Sequence, residues 1–387
     1  MDTVPPCRRV LVTGCTGHLG SWLVLRLLEQ GYLVRASVID PEDKQDLYPL
    51  LCLSPSLTTE RLEIVKADLR VVGDYDSAVQ GCEGVFHLAC PTNFIVEDPQ
   101  KDVIDPAVQG TLNVLNACIK SSSVKRVIHV SSAAAIRFTG EDFPEQVFDE
   151  SCWTDVDFCM KEKLPGCVIS YGESSYVWLV THIINEAQIS LSFVMILSKE
   201  KKGKKPMAGL VPDMPYFVAK TLAERVAVDF GKKHNLDVVV VNPSIVNGPF
   251  LTNSIPNSIK DCLALLIGDL FKLPFLMRMS YVHTEDIVRA FIFLYENPEA
   301  SGRFICSAVD ASLSEVVNIL SSRHPEFQIP TDLAYLGDPM IHYFDSSRLH
   351  KLGFHYNFTL ADMFDDAIRC CKEKGLLKQV GTTPLQP

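Results

Sequence analysis

The sequence predicts an α/β protein built on a doubly wound parallel sheet, followed by a smaller C-terminal lobe. Two observations predict this fold class. Strand-like and helix-like segments alternate over residues 8–245, and a glycine-rich turn joins the first strand to the first helix. The chain has 387 residues, of which 47% are hydrophobic and 21% charged. That length and composition allow one large domain, or two lobes, with a substantial core.

The first element is the segment RRVLVTGCTGHLGSWLVLRLLEQGYLVRASVID, residues 8–40, in which VLV is a short buried strand. Three glycines follow the strand at a Gly-x-x-Gly-x-x-Gly spacing: Gly14, Gly17 and Gly20. An amphipathic run that ends at Gly31 then leads into the second strand. Such glycines let the backbone turn tightly and approach a pyrophosphate, and the helix N-terminus offers free N–H groups to the phosphates. The segment therefore predicts a dinucleotide site in a Rossmann fold.

The later strands follow the same pattern. Strand-like runs are RLEIVKADL, EGVFHLAC, VKRVIHVSS and LDVVVVNPS, and helical patterns such as DPAVQGTLNVLNACIKSS separate them. In a doubly wound sheet, ligands bind outside the C-terminal ends of the strands. We therefore expect one crevice to be lined by the residues at these ends, which are Asp68, Ala89, Ser131, Ser132 and Pro243.

The segment VPDMPYFVAKTLAERV, residues 211–226, contains a tyrosine followed four positions later by a lysine, Tyr216 and Lys220. Residues four apart share one face of a helix, so both side chains can point into one cleft. Alone, the pair is weak evidence, because a Tyr-x-x-x-Lys spacing arises easily by chance in a chain of this composition. Its weight comes from the glycine turn and the strand pattern that accompany it.

Composition narrows the function classes. The net charge of −11 and the pI near 5.4 argue against nucleic acid or an anionic membrane as the main partner. The N-terminus lacks a signal-peptide pattern, and the thirteen cysteines include no Cys-x-x-Cys pair. We interpret them as reduced packing residues of a cytoplasmic protein. The ten histidines show no metal-binding spacing, so we expect no metal site.

Seven segments carry a resemblance to a known family: VTGCTGHLGSWLVLRLLEQGY, KADL, GVFHLA, HVSSAAA, DESCWTDVDFC, YFVAKTLAE and VVNPSIVNGPF. Together they resemble the plant extended short-chain dehydrogenases/reductases, with dihydroflavonol 4-reductases nearest and anthocyanidin and cinnamoyl-CoA reductases close. The resemblance covers nearly the whole chain and fails over residues 167–213. It implies a dinucleotide-binding domain over residues 1–250 and, over residues 251–387, mainly a substrate-binding lobe.

The resemblance also implies an activity, the NADPH-dependent reduction of a phenolic ketone in flavonoid or phenylpropanoid metabolism. Ser132 would hydrogen-bond the substrate carbonyl, and Tyr216 would donate the proton. Lys220 would lower the tyrosine pKa from about 10 and contact the nicotinamide ribose. Ser131 is the rival serine, because strand alternation lets only one of the two face the cofactor. Anthocyanidin or cinnamoyl-CoA reduction is the alternative activity.

Cofactor contacts follow from the same resemblance, residue by residue. It assigns the pyrophosphate to Gly14, Gly17, His18, Leu19 and Gly20. It assigns the adenine to Asp68 and Leu69, with Ala89 at a neighbouring strand end. It places near the nicotinamide Pro243, Ser244 and Val246. We expect His283, in the segment YVHTED, to be structural rather than catalytic.

Two positions depart from the family pattern. Ile39 stands where a basic residue usually meets the 2′-phosphate of NADP, and Arg35 or Lys44 is the candidate replacement. We expect NADP(H) as the cofactor, with NAD(H) as the alternative. Arg137 stands where many dihydroflavonol reductases have an asparagine that meets the ring hydroxyls, so arginine would pair with phenolate or carbonyl oxygens, or point to solvent.

Residues 167–213 differ in composition from the rest of the chain and contain the apolar run YVWLVTHIINEAQISLSFVMIL followed by SKEKKGKKP. A membrane helix is one interpretation, against which polar residues at its centre argue. A lid or partner-binding hairpin is the second. The third is sequence that selection on this fold did not shape, such as translated intron, which the abrupt edges favour. If this segment displaces the helix that follows it, the protein would be a dinucleotide-binding isoform with impaired catalysis.

Overall fold

The computed structural model describes residues 8–91, 97–139, 145–161, 214–269, 273–330 and 341–377. The segment 167–213 lies outside these residues, so its three interpretations stay predictions. Within the described part of the chain, no helix has the length and apolar character needed to cross a membrane.

The N-terminal half alternates strands with helices. Its strands are β1 (Arg9–Thr13), β2 (Leu33–Val38), β3 (Leu62–Lys66), β4 (Gly84–His87), β5 (Arg126–Val130) and β6 (Glu145–Phe148). Its helices are α1 (His18–Glu29), α2 (Tyr48–Leu51), α3 (Pro55–Thr58), α4 (Asp74–Ala78), α5 (Asp105–Ser121) and α6 (Val156–Lys161). A π-helical turn, Gln100–Ile104, precedes α5, and a 3₁₀ turn, Ala133–Ala135, follows β5.

The C-terminal half begins with the long helix α7 (Met214–His234). Its strands are β7 (Asp237–Pro243), β8 (Ile245–Asn247), β9 (Arg278–His283), β10 (Gly302–Cys306), β11 (Val309–Ser312) and β12 (Ile341–Phe344). Its remaining helices are α8 (Asn257–Cys262), α9 (Ala264–Ile267), α10 (Leu273–Leu276), α11 (Thr284–Glu296), α12 (Leu313–Arg323), α13 (Ser347–Lys351) and α14 (Leu360–Glu373).

Seven strands form one parallel sheet in the order β10-β7-β5-β4-β1-β2-β3. The order reverses at β1, which lies between β2 and β4, and the C-terminal ends of strands open a ligand crevice at such a point. Helices α1 and α11 pack together on one face, and α5 and α7 on the other. The predicted doubly wound fold is confirmed.

The apolar run of β1 is continuous because both faces of this strand are buried. Val10 and Val12 belong to the core on the α1 side, and Leu11 belongs to the core on the α5 side. Successive residues of a strand point to opposite faces, so a strand covered on both faces is apolar throughout. The same burial on both faces explains the apolar character of β4, β5 and β7.

A second lobe lies beyond the C-terminal ends of the sheet. Its three-stranded sheet has the order β11-β9-β8, and β6 pairs with β12 in a separate parallel pair. Helices α8, α9, α12 and α14 surround a core of their own, in which Tyr281 is a large buried side chain. Strand β10, however, returns to the edge of the main sheet. Residues after 250 therefore contribute to both lobes.

Candidate active site

A cleft of about 1080 Å³ lies where β1, β4, β5 and β7 end, with the second lobe as its far wall. Both lobes supply lining residues. The predicted site residues that line it are Gly14, Gly17, His18, Leu19, Gly20, Asp68, Leu69, Ala89, Ser132, Arg137, Tyr216, Lys220, Pro243, Ser244 and Val246. The fold therefore brings fifteen of the seventeen predicted positions to one cleft.

At two positions of the glycine turn, at one end of the cleft, a side chain has no space. Gly14 has a φ of +67°, and a Cβ atom there would lie 2.8 Å from the amide nitrogen of Ala89. A Cβ atom on Gly20 would lie 2.0 Å from the carbonyl oxygen of Gly14. The turn ends at Gly17, which caps α1 without a side-chain hydrogen bond, and the first turn of α1 has no acidic residue. The free N–H groups of this helix end suit a pyrophosphate.

His18 connects the glycine turn to the elements that follow β8. Its Nε2 donates to the carbonyl oxygen of Pro249 at 3.3 Å and lies 3.1 Å from the Oγ1 of Thr284. Burial disfavours the charged imidazolium and lowers the pKa of His18 to about 4. The ring is therefore neutral near pH 7 and holds the turn in place without adding positive charge.

Beside Asp68 and Leu69 the cleft contains an arginine, Arg70, that the sequence analysis did not predict. Arg70 donates to both carboxylate oxygens of Asp68, at distances from 2.6 to 3.1 Å, and these hydrogen bonds hold the pKa of Asp68 below its ordinary value. The carbonyl oxygen of Leu69 accepts from the Nδ2 of Asn113 at 2.8 Å. Because Arg70 follows Asp68 by two residues, its position near this part of the cleft could have been predicted from the sequence.

Arg35 and Lys44, the candidate replacements for the missing basic residue, do not line the cleft. Arg35 lies in the middle of β2 and covers the end of α4, where it donates to the carboxylate of Glu63 and to the carbonyl of Ala78, both at 2.9 Å. Lys44 is exposed to solvent. Ile39 does line the cleft, and it occupies the position where the resembling family usually has a basic residue.

Helix α7 supplies the tyrosine and the lysine on one face. Tyr216 and Lys220 both line the cleft, and the ammonium of Lys220 is buried. Its Nζ donates to the carbonyl oxygen of Val130 at 2.7 Å, which ties α7 to the C-terminal end of β5. The lysine charge is thereby fixed one helical turn from the tyrosine.

The two serines after β5 have different partners. The Oγ of Ser132 accepts from the amide of Ala134 at 3.1 Å and caps the 3₁₀ turn. The Oγ of Ser131 donates to the carboxylate of Glu224 at 2.5 Å in a buried environment. The hydroxyl hydrogen of Ser131 is therefore committed to Glu224, whereas that of Ser132 can be donated into the cleft.

Glu224 lies one helical turn beyond Lys220 and is fully buried. Besides Ser131, its carboxylate accepts from the Nδ2 of Asn242 at 2.7 Å and forms a salt bridge with Arg303 of β10. The guanidinium of Arg303 also donates to the carbonyl of Cys152 at 2.7 Å and lies over the ring of Trp153. A buried charge needs such partners, so this network holds α7 against β5, β7 and β10. The sequence offered one indication of this network, because Glu224 lies on the same helix face as Tyr216 and Lys220.

The far end of the cleft is aromatic and basic. Phe138 and Phe217 stack at a centroid distance of 4.8 Å, and both line the cleft. The Nη1 of Arg137 lies 3.7 Å from the Sδ of Met279, and its guanidinium lies 5.8 Å from the ring centroid of Phe138. Arg137 is therefore a cleft residue. Aromatic side chains beside a guanidinium suit a planar aromatic ligand.

His283 lies outside the cleft lining. Its Nδ1 accepts from the amide of Glu285 at 3.0 Å and caps α11, and its Nε2 lies 3.2 Å from Asp366. The ring stacks on Phe358 at 3.8 Å. These contacts account for the histidine as a structural residue.

Comparison with known proteins identifies the family. A family model described as "Male sterility protein" matches residues 12–269. The dihydroflavonol 4-reductase of Zea mays is 38% identical over 370 residues, which cover 95% of this chain and 89% of that protein. The chain belongs to the extended short-chain dehydrogenase/reductase family. The predicted resemblance is confirmed.

Other relatives of this extended reductase include a Ginkgo biloba protein assigned as an anthocyanidin reductase, 38% identical over 375 residues and covering 95% of each chain. Among solved structures, vestitone reductase from alfalfa superposes with a TM-score of 0.70 at 32% identity, over 95% of this chain and 99% of that chain. The yeast reductase Gre2, solved with NADPH, has a TM-score of 0.69 at 20% identity and shows the shared fold.

Proposed function

We propose that this extended short-chain reductase is an NADPH-dependent reductase of planar phenolic ketones of the dihydroflavonol type. One observation carries the proposal. Ser132, Tyr216 and Lys220 line one cleft together with the glycine turn, although the serine and the tyrosine are far apart in sequence. The names of the relatives, dihydroflavonol 4-reductase, anthocyanidin reductase and vestitone reductase, support a flavonoid-type ketone as substrate.

The residues present fit an NADP(H) cofactor. Gly14 and Gly20 have no space for a Cβ atom, and the glycine turn presents the uncapped N-terminus of α1 to a pyrophosphate. Asp68 and Leu69 would hold the adenine, and Ala89, Pro243, Ser244 and Val246 would line the path to the nicotinamide. When bound, NADPH supplies the hydride to the substrate carbonyl carbon. NAD(H) is the alternative, since Ile39 offers no charge to a 2′-phosphate.

The reaction then requires a proton for the carbonyl oxygen. In the proposed mechanism the Oγ of Ser132 donates a hydrogen bond to this oxygen, and the hydroxyl of Tyr216 gives its proton to it as negative charge develops. The ammonium of Lys220, held by the carbonyl of Val130, stabilises the phenolate that remains. A positioned acid of this kind contributes roughly 10² to 10⁴ in rate.

Substrate choice is tested by following NADPH oxidation by the full-length chain. The panel is dihydroquercetin, an anthocyanidin and cinnamoyl-CoA at equal concentrations. We expect the highest kcat/KM with dihydroquercetin. Ser132→Ala should lower kcat at least about tenfold, as expected for a lost hydrogen bond to a developing oxyanion. Ser322→Ala, an exposed serine on α12, is the matched control.

A second candidate function is a dinucleotide-binding isoform that does not turn over, because residues 167–213 directly precede the region of the catalytic helix. The full-length chain would then bind NADPH but reduce no member of the panel, and removal of 167–213 would restore reduction. We also propose that the protein works in the cytoplasm on a small molecule and not on nucleic acid. The net charge of −11 supports the second point.

A further inference from the structure

Arg278, the first residue of β9, lines the same cleft as Arg137. The guanidinium of Arg137 comes from the segment after β5 and reaches Met279, which directly follows Arg278. Two arginines from different lobes thus line the cleft that also contains Ser132 and Tyr216.

Neither guanidinium has a carboxylate oxygen within 4.0 Å among the described residues. Arg278 donates to the hydroxyl of Tyr343 at 3.4 Å and lies 5.0 Å from that ring's centroid. Its Nε is buried and has no hydrogen-bond partner in this part of the chain. Arg137 has only a thioether and an aromatic ring within reach there. Both arginines line the cleft, and no carboxylate of the described residues pairs with them, so a ligand anion can take that place.

Other charges near the arginines do not neutralise them by direct contact. Asp310 on β11 accepts from the Oγ of Ser280, and Arg278 acts on it only through space. Glu315 accepts from Ser312 in the capping box of α12 and feels Arg278 in the same way. Lys260 and Asp261 on α8 also line the cleft. Among the described residues, these charges therefore leave both guanidinium groups without a carboxylate partner.

We infer that Arg137 and Arg278 form an anion subsite, and that the preferred substrate is an aromatic ketone with an ionised oxygen group remote from the reacting carbonyl. This inference rests on the proposed reductase function and adds the charge of the substrate to it. A guanidinium binds a carboxylate or phenolate through charge-assisted hydrogen bonds in a fixed planar geometry. The stacked rings of Phe138 and Phe217 would hold the ketone's aromatic scaffold, and the anchored anion would orient the carbonyl toward Ser132 and Tyr216.

The test compares matched ketones with the full-length chain and NADPH. 4-Acetylbenzoate carries the anion, and its methyl ester is the neutral counterpart with nearly the same shape. 4-Hydroxyacetophenone, assayed on both sides of its ionisation, separates phenolate from carboxylate as the preferred group. We expect wild-type kcat/KM to favour the acid over the ester at least tenfold. In the double variant Arg137→Gln/Arg278→Gln the ratio should fall to about one, mainly through KM for the acid. Arg369→Gln, an exposed arginine on α14, controls for the loss of a positive charge.

Equal kcat/KM for acid and ester in the wild type would overturn the inference, as would the same preference in the double variant. Reduction of the ester alone would leave the proposed function standing and reject the anion subsite. If neither ketone is reduced, binding to the NADPH-bound protein decides, measured by quenching of NADPH fluorescence. Tighter binding of the acid that the double variant loses would support the subsite while the reductase function fails. Equal binding would overturn the subsite as well.

Discussion

At the scale of single residues, Ile39 stands where the family resemblance implies a basic residue. Its side chain lines the cleft and is 56% exposed. Arg35, four residues earlier, covers the end of α4 instead. The sequence pattern did not predict that the cleft lies beyond the end of β2, out of reach of a residue in its middle.

A basic residue at position 39 should therefore strengthen NADPH binding. We expect Ile39→Arg to raise the ratio of kcat/KM for NADPH over NADH about fivefold, because an exposed cation beside a phosphate contributes about 1 kcal/mol. Leu51→Arg adds the same charge at an apolar position that is 59% exposed and outside the cleft. A ratio that Ile39→Arg leaves unchanged, or that Leu51→Arg raises equally, would contradict this placement of the 2′-phosphate.

The residues of the site were predictable to different degrees. The glycines and the Tyr216–Lys220 pair lie in short segments whose spacing is visible in the sequence, and the structure brings all of them to one cleft. Arg303 was not predictable, because its salt-bridge partner Glu224 lies 79 residues away and only the pairing of β10 with β7 brings them together. Arg278 was missed for the same reason, since its position depends on how the second lobe closes the cleft.

At the scale of elements, α7 depends on contacts along its own length. Lys220 bonds to β5, and Glu224 bonds to Ser131, Asn242 and Arg303, so contacts at β5, β7 and β10 fix the rotation of the helix about its axis. That rotation decides whether Tyr216 faces the cleft. The segment that precedes α7 is not needed for this anchoring.

We expect Glu224→Gln to lower the stability of the protein by about 3–5 kcal/mol, because it leaves the Arg303 charge buried and unpaired. The double variant Glu224→Gln/Arg303→Met removes both charges and should recover most of that stability. Its kcat should nevertheless stay at least about tenfold below the wild type, with KM for NADPH little changed, because α7 has lost its anchor. Urea unfolding and steady-state kinetics on the same samples separate the two effects. A double variant with wild-type kcat would show that Glu224 acts on stability alone.

At the scale of the whole molecule, two histidines in the sheet connect stability to pH. His87 and His129 are buried on neighbouring strands with ring centroids 5.3 Å apart. Burial, with the charge of Lys220 as a smaller cause, lowers the pKa of His87 to about 3. Burial, followed by His87 and Lys220, also places the pKa of His129 well below its ordinary value. Below about pH 6.5 the unfolded chain binds protons at these sites that the folded protein excludes.

The free energy of unfolding should therefore fall as the pH drops from about 6.5 toward 4.5, by about 1.4 kcal/mol per pH unit for each histidine. His129→Leu should remove one such contribution. Neither ring nitrogen of His129 has a hydrogen-bond partner among the described residues, so the variant should match or exceed the wild-type stability at pH 7. Urea unfolding at several pH values measures the slope, and His355→Gln, an exposed histidine, is the control. An unchanged slope in His129→Leu would contradict the assignment.

Removal of residues 167–213 should have little effect on turnover. Because the described contacts anchor α7 from within, the deletion should leave kcat within about threefold of the full-length chain, a difference of about 0.7 kcal/mol. Lengthening a loop is inexpensive, at about 0.6 kcal/mol per doubling, so the fold should tolerate both forms. Turnover by the deletion alone would instead show that the segment disables the site.

Six of the seven strands of the main sheet were predictable because they are short, mainly apolar runs separated by helical patterns. The division into lobes was harder to predict. Strand β10 and helix α11 belong to the first lobe, although they come after segments of the second lobe in the sequence. Such returns depend on long-range pairing, which local patterns do not encode.

The most direct test of the account is transfer of deuterium from NADPH labelled at its transferable position to dihydroquercetin, in a single turnover by the full-length chain. We expect the label at the former carbonyl carbon of the product. Tyr216→Phe should still bind NADPH, as judged by its fluorescence, but transfer deuterium at least about a hundredfold more slowly. Transfer by Tyr216→Phe at the wild-type rate, or product without label at that carbon, would contradict the proposed role of this cleft.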